Sequence, residues 1–212
     1  MLAVEGLLAG YGGRPLARLP KLSVAAGRSA LLLGPSGSGK TTLLLAMAGL
    51  AEVQAGSVRL GELEMSTLRG AERDRLRGRS IGLVFQDLHL AAGLSTLDNL
   101  LLAPFAAGVA QDRRRALGLL DELGLGPWTH KPAETLSRGQ AQRVAIARAM
   151  LLGPRLILAD EPTASLDDAA CEQVWGLLLR AARETGAAVV AATHDRRLKG
   201  RADLTVAVEP VA

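Results

Sequence analysis

Aromatic residues are nearly missing from this chain. Tyr11, Phe85, Phe105, Trp128 and Trp175 are all there are, 2% of 212 residues. So few rings leave little to stack on bases, which argues against a nucleic-acid surface. There is a single cysteine, Cys171, so no disulfide forms within the chain and a stapled secreted scaffold is excluded. Cys171 is expected to pack as a small apolar residue on the helix after Asp167. Although 49% of the residues are hydrophobic, no apolar run reaches the length that crosses a bilayer. The strongest run, residues 43–51, reads as buried helix. No charged-then-apolar leader opens the chain, so a cytoplasmic location is expected. No internal repeat is evident, and the length suits one large domain with a substantial core.

Neither sign of charge dominates. The net charge is +4, with arginine far ahead of lysine. Arg69, Arg73, Arg75, Arg77 and Arg79 alternate with Glu72 and Asp74, and Arg113, Arg114 and Arg115 form a second run. Both read first as solvated helix faces. Mild attraction to an anionic membrane surface is a second reading, and no nucleic-acid partner is expected.

What is present is a phosphate-binding pattern. Gly34-Pro35-Ser36-Gly37-Ser38-Gly39-Lys40-Thr41 meets G-x-x-x-x-G-K-[ST] at every defined position. The run Ala30-Leu31-Leu32-Leu33 ahead of it reads as a buried parallel strand, and residues 40–48 read as a helix. Gly34, Gly37 and Gly39 let the backbone curl around phosphates, while the loop amides and the helix N-terminus favour negative charge. Lys40 is expected to reach the β- and γ-phosphates of ATP, and the Thr41 hydroxyl to sit on Mg²⁺, with Thr42 continuing the cradle. Residues 156–159 read as a second buried strand. Asp160 at its end is placed to hold Mg²⁺, and Glu161 to polarise the attacking water. Ser137 stands where the N-cap of a helix over residues 139–152 belongs, and Gly139 permits close backbone approach.

The pentapeptide Leu136-Ser137-Arg138-Gly139-Gln140, lying between those two motifs, resembles the signature of the ATP-binding cassette (ABC) family. The resemblance covers nearly the whole chain. The usual family form has Gly where Arg138 stands. The resemblance implies that Ser137, Gly139 and Gln140 face the γ-phosphate of an ATP bound to a second nucleotide-binding subunit, giving a head-to-tail homodimer. It implies further that His194, which follows the apolar run 187–192, is the switch histidine that touches the γ-phosphate and holds water with Glu161. Gln86, after Ile81-Gly82-Leu83-Val84-Phe85, resembles the Q-loop glutamine that links Mg²⁺ to the partner surface. Ser165-Leu166-Asp167 resembles the D-loop, and Tyr11 stands where the family stacks a ring on adenine. Residues 77–86 and 94–100, with Pro104 and Gly108, resemble the branch holding the lipoprotein-release ATPase LolD, the MacB-type efflux ATPases and the division ATPase FtsE.

The fold implied for residues 1–212 is an α/β P-loop NTPase core of the ABC type. It has a parallel sheet, an N-terminal antiparallel β part and a helical subdomain inserted at about residues 87–155, broken near Gly126, Pro127 and Pro132. The chain stops soon after the strand expected at 204–208, so no added regulatory domain is expected. The implied function is the ATP-hydrolysing subunit of a membrane transporter or mechanotransmission complex, peripheral on the inner face of the membrane and driving a transmembrane permease subunit. The other class is a soluble cassette ATPase acting on DNA or ribosomes. The sequence shows neither the long coiled coil nor the fused second cassette that those members carry. A P-loop kinase leaves the pentapeptide unexplained. Residues 87–105 are expected to form the permease-docking surface beside Gln86, with Leu88, Leu90 and Leu94 among its exposed members.

Overall fold

The computed structural model describes residues 1–164 and 166–209. Two sheets organise it. The first is antiparallel, in the order β2-β1-β4-β5, from β1 (Leu2–Tyr11), β2 (Arg14–Val24), β4 (Glu52–Leu60) and β5 (Leu63–Glu64). The second has the order β6-β7-β8-β3-β9, from β3 (Ser29–Leu33), β6 (Ile81–Val84), β7 (Leu156–Asp160), β8 (Ala188–Thr193) and β9 (Leu204–Ala207). All of its pairings are parallel.

The parallel strands explain the uninterrupted apolar runs. Every residue of β7 and β8 is buried, because both faces of the sheet are covered. Alternate residues feed two cores. Leu31, Ile157, Ala159, Val189 and Ala191 join the core under the helices α3 (Thr96–Ala106), α4 (Arg113–Glu122), α5 (Arg138–Met150) and α6 (Asp168–Thr185). Ala30, Leu32, Leu158, Val190 and Ala192 join the core shared with α1 (Lys40–Met47) and the antiparallel sheet. Cys171 is buried on α6. The arginine-rich segment forms α2 (Gly70–Ser80), which has no buried residue.

Between β6 and β7 the chain is helical, with short 3-10 turns at Gly126–Trp128 and Ala133–Thr135 separating α4 from α5. Helix α3 runs through Pro104 instead of breaking there. Helix α5 packs on both α3 and β6, so the inserted helices lean on the sheet edge.

One expectation is corrected here. Leu88 and Leu90 are partly buried and pack against the helical core. Leu97, Leu100 and Leu101 are core residues as well. The cause is a tether unseen in the local pattern: Arg148 of α5 donates to Leu88 O and His89 O, each at 2.7 Å, drawing this segment inward. The exposed apolar member is Phe105, 74% exposed.

Candidate active site

Four adjacent strands end at one edge, and each delivers a piece of the site. The phosphate loop follows β3, Asp160 ends β7, His194 follows β8, and Gln86 lies two residues past β6. The registers Leu33↔Thr193, Asp160↔Ala192 and Val84↔Ala159 hold these ends level. This is where open α/β sheets gather their ligands.

The loop is set by its glycines and by packing behind it. Gly39 has φ 86° and caps α1. A Cβ there would meet Ala17 Cβ at 2.5 Å, so the β1–β2 hairpin rests directly on the loop. A Cβ on Gly34 would meet Val208 O at 2.4 Å. The first intrahelical acceptor is used by Leu43 N, on Gly39 O at 3.0 Å, which leaves the leading amides of α1 for an anion. Lys40 is buried, and Nζ donates to Gly34 O at 2.9 Å and Pro35 O at 2.8 Å. An ammonium carries three donors, so one remains for a phosphate oxygen. Ser38 is fully buried.

Asp160 is 9% exposed, and its Oδ1 has no hydrogen-bond partner among the described residues. Burial raises its pKa, the Thr41 hydroxyl and the Lys40 ammonium pull it back down, and the Glu161 charge adds to the rise. A buried, unpaired carboxylate oxygen beside a hydroxyl suits a hard cation such as Mg²⁺. That ion takes one or two carboxylates and completes its shell with phosphate and water.

Glu161 sits at φ 45°, a costly conformation for a residue with a side chain. Several bonds hold it there. Its N donates to Ala192 O at 2.8 Å. Oε2 accepts from Thr193 Oγ1 at 2.9 Å, Oε1 accepts from His194 N at 3.2 Å, and His194 Nδ1 lies 2.7 Å from Oε1. The Glu161 side chain is 10% exposed and the His194 ring 62%. The carboxylate is thus fixed from inside while the imidazole faces outward.

A cavity of about 560 Å³ opens between α2, β6, α3 and α5, lined by Arg77, Phe85, Leu102, Ala106 and Arg148 among others. A second, of about 620 Å³, lies beside the phosphate loop and is lined by Gly34, Pro35, Ser36, His194, Arg196 and Val208 among others. No residue of α5 lines that second cavity. Ser137 instead caps α5: its Oγ accepts from Gln140 N at 3.3 Å, and Ser137 N donates to Gln140 Oε1 at 2.9 Å. Gly139 has open space where a Cβ would stand. Tyr11 ends β1 and is 47% exposed, and Gln86 is exposed. Leu166 and Asp167 lie on the approach to α6, while Ser165 lies outside the described residues. Sequence reasoning missed Thr193, Asp195, Arg197 and Arg148. Only Thr193 and Asp195, on either side of His194, carried any signal.

The ABC transporter family model matches residues 19–164. A LolD lipoprotein-releasing system ATP-binding protein of Anaeromyxobacter dehalogenans is 44% identical over 188 residues, 87% of this chain and 79% of its own length. The chain belongs to the ABC transporter ATP-binding family. An uncharacterized ABC transporter ATP-binding protein of Mycobacterium tuberculosis is 43% identical over 99% of this chain. The present chain spans only 63% of that relative's length. Among solved folds, the dimeric post-hydrolysis state of the ATP-binding cassette MJ0796 bound to ADP and Pi matches 99% of this chain and 94% of its own, with a TM-score of 0.86 at 30% identity. The cassette architecture expected from the sequence is the one observed.

Proposed function

We propose that this ABC cassette hydrolyses ATP to drive a membrane-embedded partner, in the manner of a lipoprotein-releasing system. The observation that carries the hydrolytic reading is Glu161, held in a strained backbone state with its carboxylate bonded to Thr193 and His194. Such rigidity suits a group that must orient one water. Lys40 and the loop amides hold the phosphates. Asp160, Thr41 and Gln86 are the residues that would hold Mg²⁺, which supplies neutralisation of charge on the transferring phosphoryl group. Water oxygen bonds to the γ-phosphorus, the bond to the bridging oxygen breaks, ADP departs, and Glu161 takes the water proton. His194, hydrogen-bonded to Glu161, is placed to contact the γ-phosphate. Tyr11 extends from the hairpin that rests on the loop, which suits an adenine platform.

Glu161→Gln should retain ATP binding and lose turnover by about 100-fold or more, while Lys40→Ala should weaken binding itself. ATPase assays and nucleotide titration check both, and wild-type turnover in Glu161→Gln would remove the assignment.

The membrane partner is supported by two observations. Relatives over most of this length are named for lipoprotein release, and an apolar-floored groove of about 560 Å³ opens beside Gln86. The groove can seat a short helix of a permease subunit, whose position would respond to closure around ATP. No described helix is long and apolar enough to cross a membrane. By likeness to relatives named for lipoprotein release, the reading takes the chain as a peripheral subunit on the inner face of the membrane. The class of soluble cassettes acting on DNA or ribosomes has no comparable support. Ala106 is exposed and lines the groove. Ala106→Glu should abolish copurification with the membrane partner and leave basal ATPase intact; unchanged copurification would move the docking surface elsewhere. Leu90→Glu is a test of folding instead, because Leu90 packs on the core.

A further inference from the structure

The contacts around His194 continue past the residues assigned to ATP. Asp195 follows it, with a side chain only 12% exposed. Its Oδ2 accepts from Thr163 Oγ1 at 2.9 Å, and Thr163, two residues after Glu161, is fully buried. Arg197 grips the same carboxylate, with Nε 2.9 Å from Oδ1 and Nη2 2.8 Å from Oδ2. The rest of the guanidinium turns the other way. Its Nη1 donates to Leu166 O at 3.2 Å and to Asp168 Oδ1 at 2.7 Å. One side chain therefore spans the segments that follow β7 and β8.

The inner end of this network reaches the reacting region. Asp195 N donates to Thr193 Oγ1 at 2.9 Å, and that hydroxyl donates its single proton to Glu161 Oε2 at 2.9 Å. The Asp195 carboxylate and amide thus bond two different loops at once. Arg197 holds the Asp195 carboxyl down to about 2, so the clamp stays ionised throughout the neutral range. An exposed ion pair contributes little by itself. This one differs because Asp195 is half-buried, Thr163 is buried, and the same carboxylate also accepts from Arg197 N at 3.0 Å. A lysine could not copy it, since an ammonium lacks the planar fork that serves Asp195 in pairs while reaching Leu166 and Asp168.

We propose that Arg197, acting through Asp195, is a positioning residue that ties the segment of Leu166 and Asp168 to the Glu161–His194 pair. Displacement of that segment is thereby transmitted to the carboxylate that orients water. The inference rests on the reading of Glu161 as the water-orienting group. It goes further by naming a device, outside the nucleotide contacts, that sets when Glu161 is aligned.

The test compares wild type, Arg197→Ala and Glu161→Gln as full chains. Arg197→Ala should lower kcat about tenfold or more, with KM for ATP and nucleotide Kd within about twofold, because alignment and not binding is lost. Without nucleotide, hydrogen exchange at His194 and Asp195 should speed up together with exchange at Leu166 and Asp168, by about tenfold, with residues 34–41 unchanged. Wild-type kcat in Arg197→Ala overturns the proposal. So does a loss shared equally with binding, a fall in kcat without the paired change in exchange, or faster exchange confined to residues 196–198. Full turnover in Glu161→Gln, or none in the wild type, marks failure of the underlying reading instead.

Discussion

Asp203 fastens the last strand of the parallel sheet. Its carboxylate accepts from Ser29 N, Ser29 Oγ and Arg28 Nη1, each at 2.8 Å. The Ser29 amide, then the Ser29 hydroxyl and the Arg28 guanidinium, hold its pKa down from 3.8 to about 2. A carboxyl whose folded pKa lies below its unfolded value stabilises the native state above the unfolded value. That stability fades as pH falls from about 3.8 through about 2. Asp195 titrates in the same window, held near 2 first by Arg197. Asp203→Asn should therefore cost about 1 kcal/mol at neutral pH, a modest value because the site is partly exposed. It should also flatten, without abolishing, the loss of stability between about pH 4 and 2. Urea unfolding across pH measures both effects, with Asp195, Glu64 and Glu134 contributing to the remaining slope.

Among the elements, α5 shows why a cap and a binding group are hard to separate from sequence. Ser137 makes a reciprocal capping box with Gln140, and any well-started helix does the same. The two roles part under substitution. Ser137→Ala should cost about 1 kcal/mol by losing the cap. Ser137→Asp keeps a good cap, so thermal stability should hold, while its charge repels a γ-phosphate and turnover should collapse. Stability and turnover falling together in Ser137→Asp would leave Ser137 as a cap alone. The strands β3, β7 and β8 and the helices α1, α5 and α6 were legible because burial on two faces writes an unbroken apolar run, and each helix follows its own loop or cap residue. The Thr163–Asp195–Arg197 clamp and the Ser29–Asp203 lock were not, since partners 32 and 174 residues apart leave no spacing to read. Leu88 and Leu90 misled for the same reason. The carbonyls of His89 and Leu88 are drawn in by an arginine 59 and 60 residues away.

At the scale of the molecule, the phosphate loop with Lys40, Asp160, Glu161 and His194 gathers on one sheet edge, while Ser137 caps the head of α5. The cavity beside the loop takes no lining from α5. If Ser137 serves ATP, it serves the ATP of a second chain, and two-fold symmetry then pairs each Lys40 with the other chain's Ser137. Mixing variants tests this. Ser137→Arg protein and Lys40→Ala protein should each be inactive alone. In a mixed dimer, one site combines the intact Lys40 of the first with the intact Ser137 of the second, and the other site carries both lesions. Random pairing makes about half the dimers mixed, each with one of two sites whole, so an equimolar mixture should recover roughly a quarter of wild-type ATPase. Self-sufficient chains would give nothing beyond the sum of the two parents. Turnover strictly linear in protein concentration down to monomeric samples would likewise leave each chain with a complete site of its own.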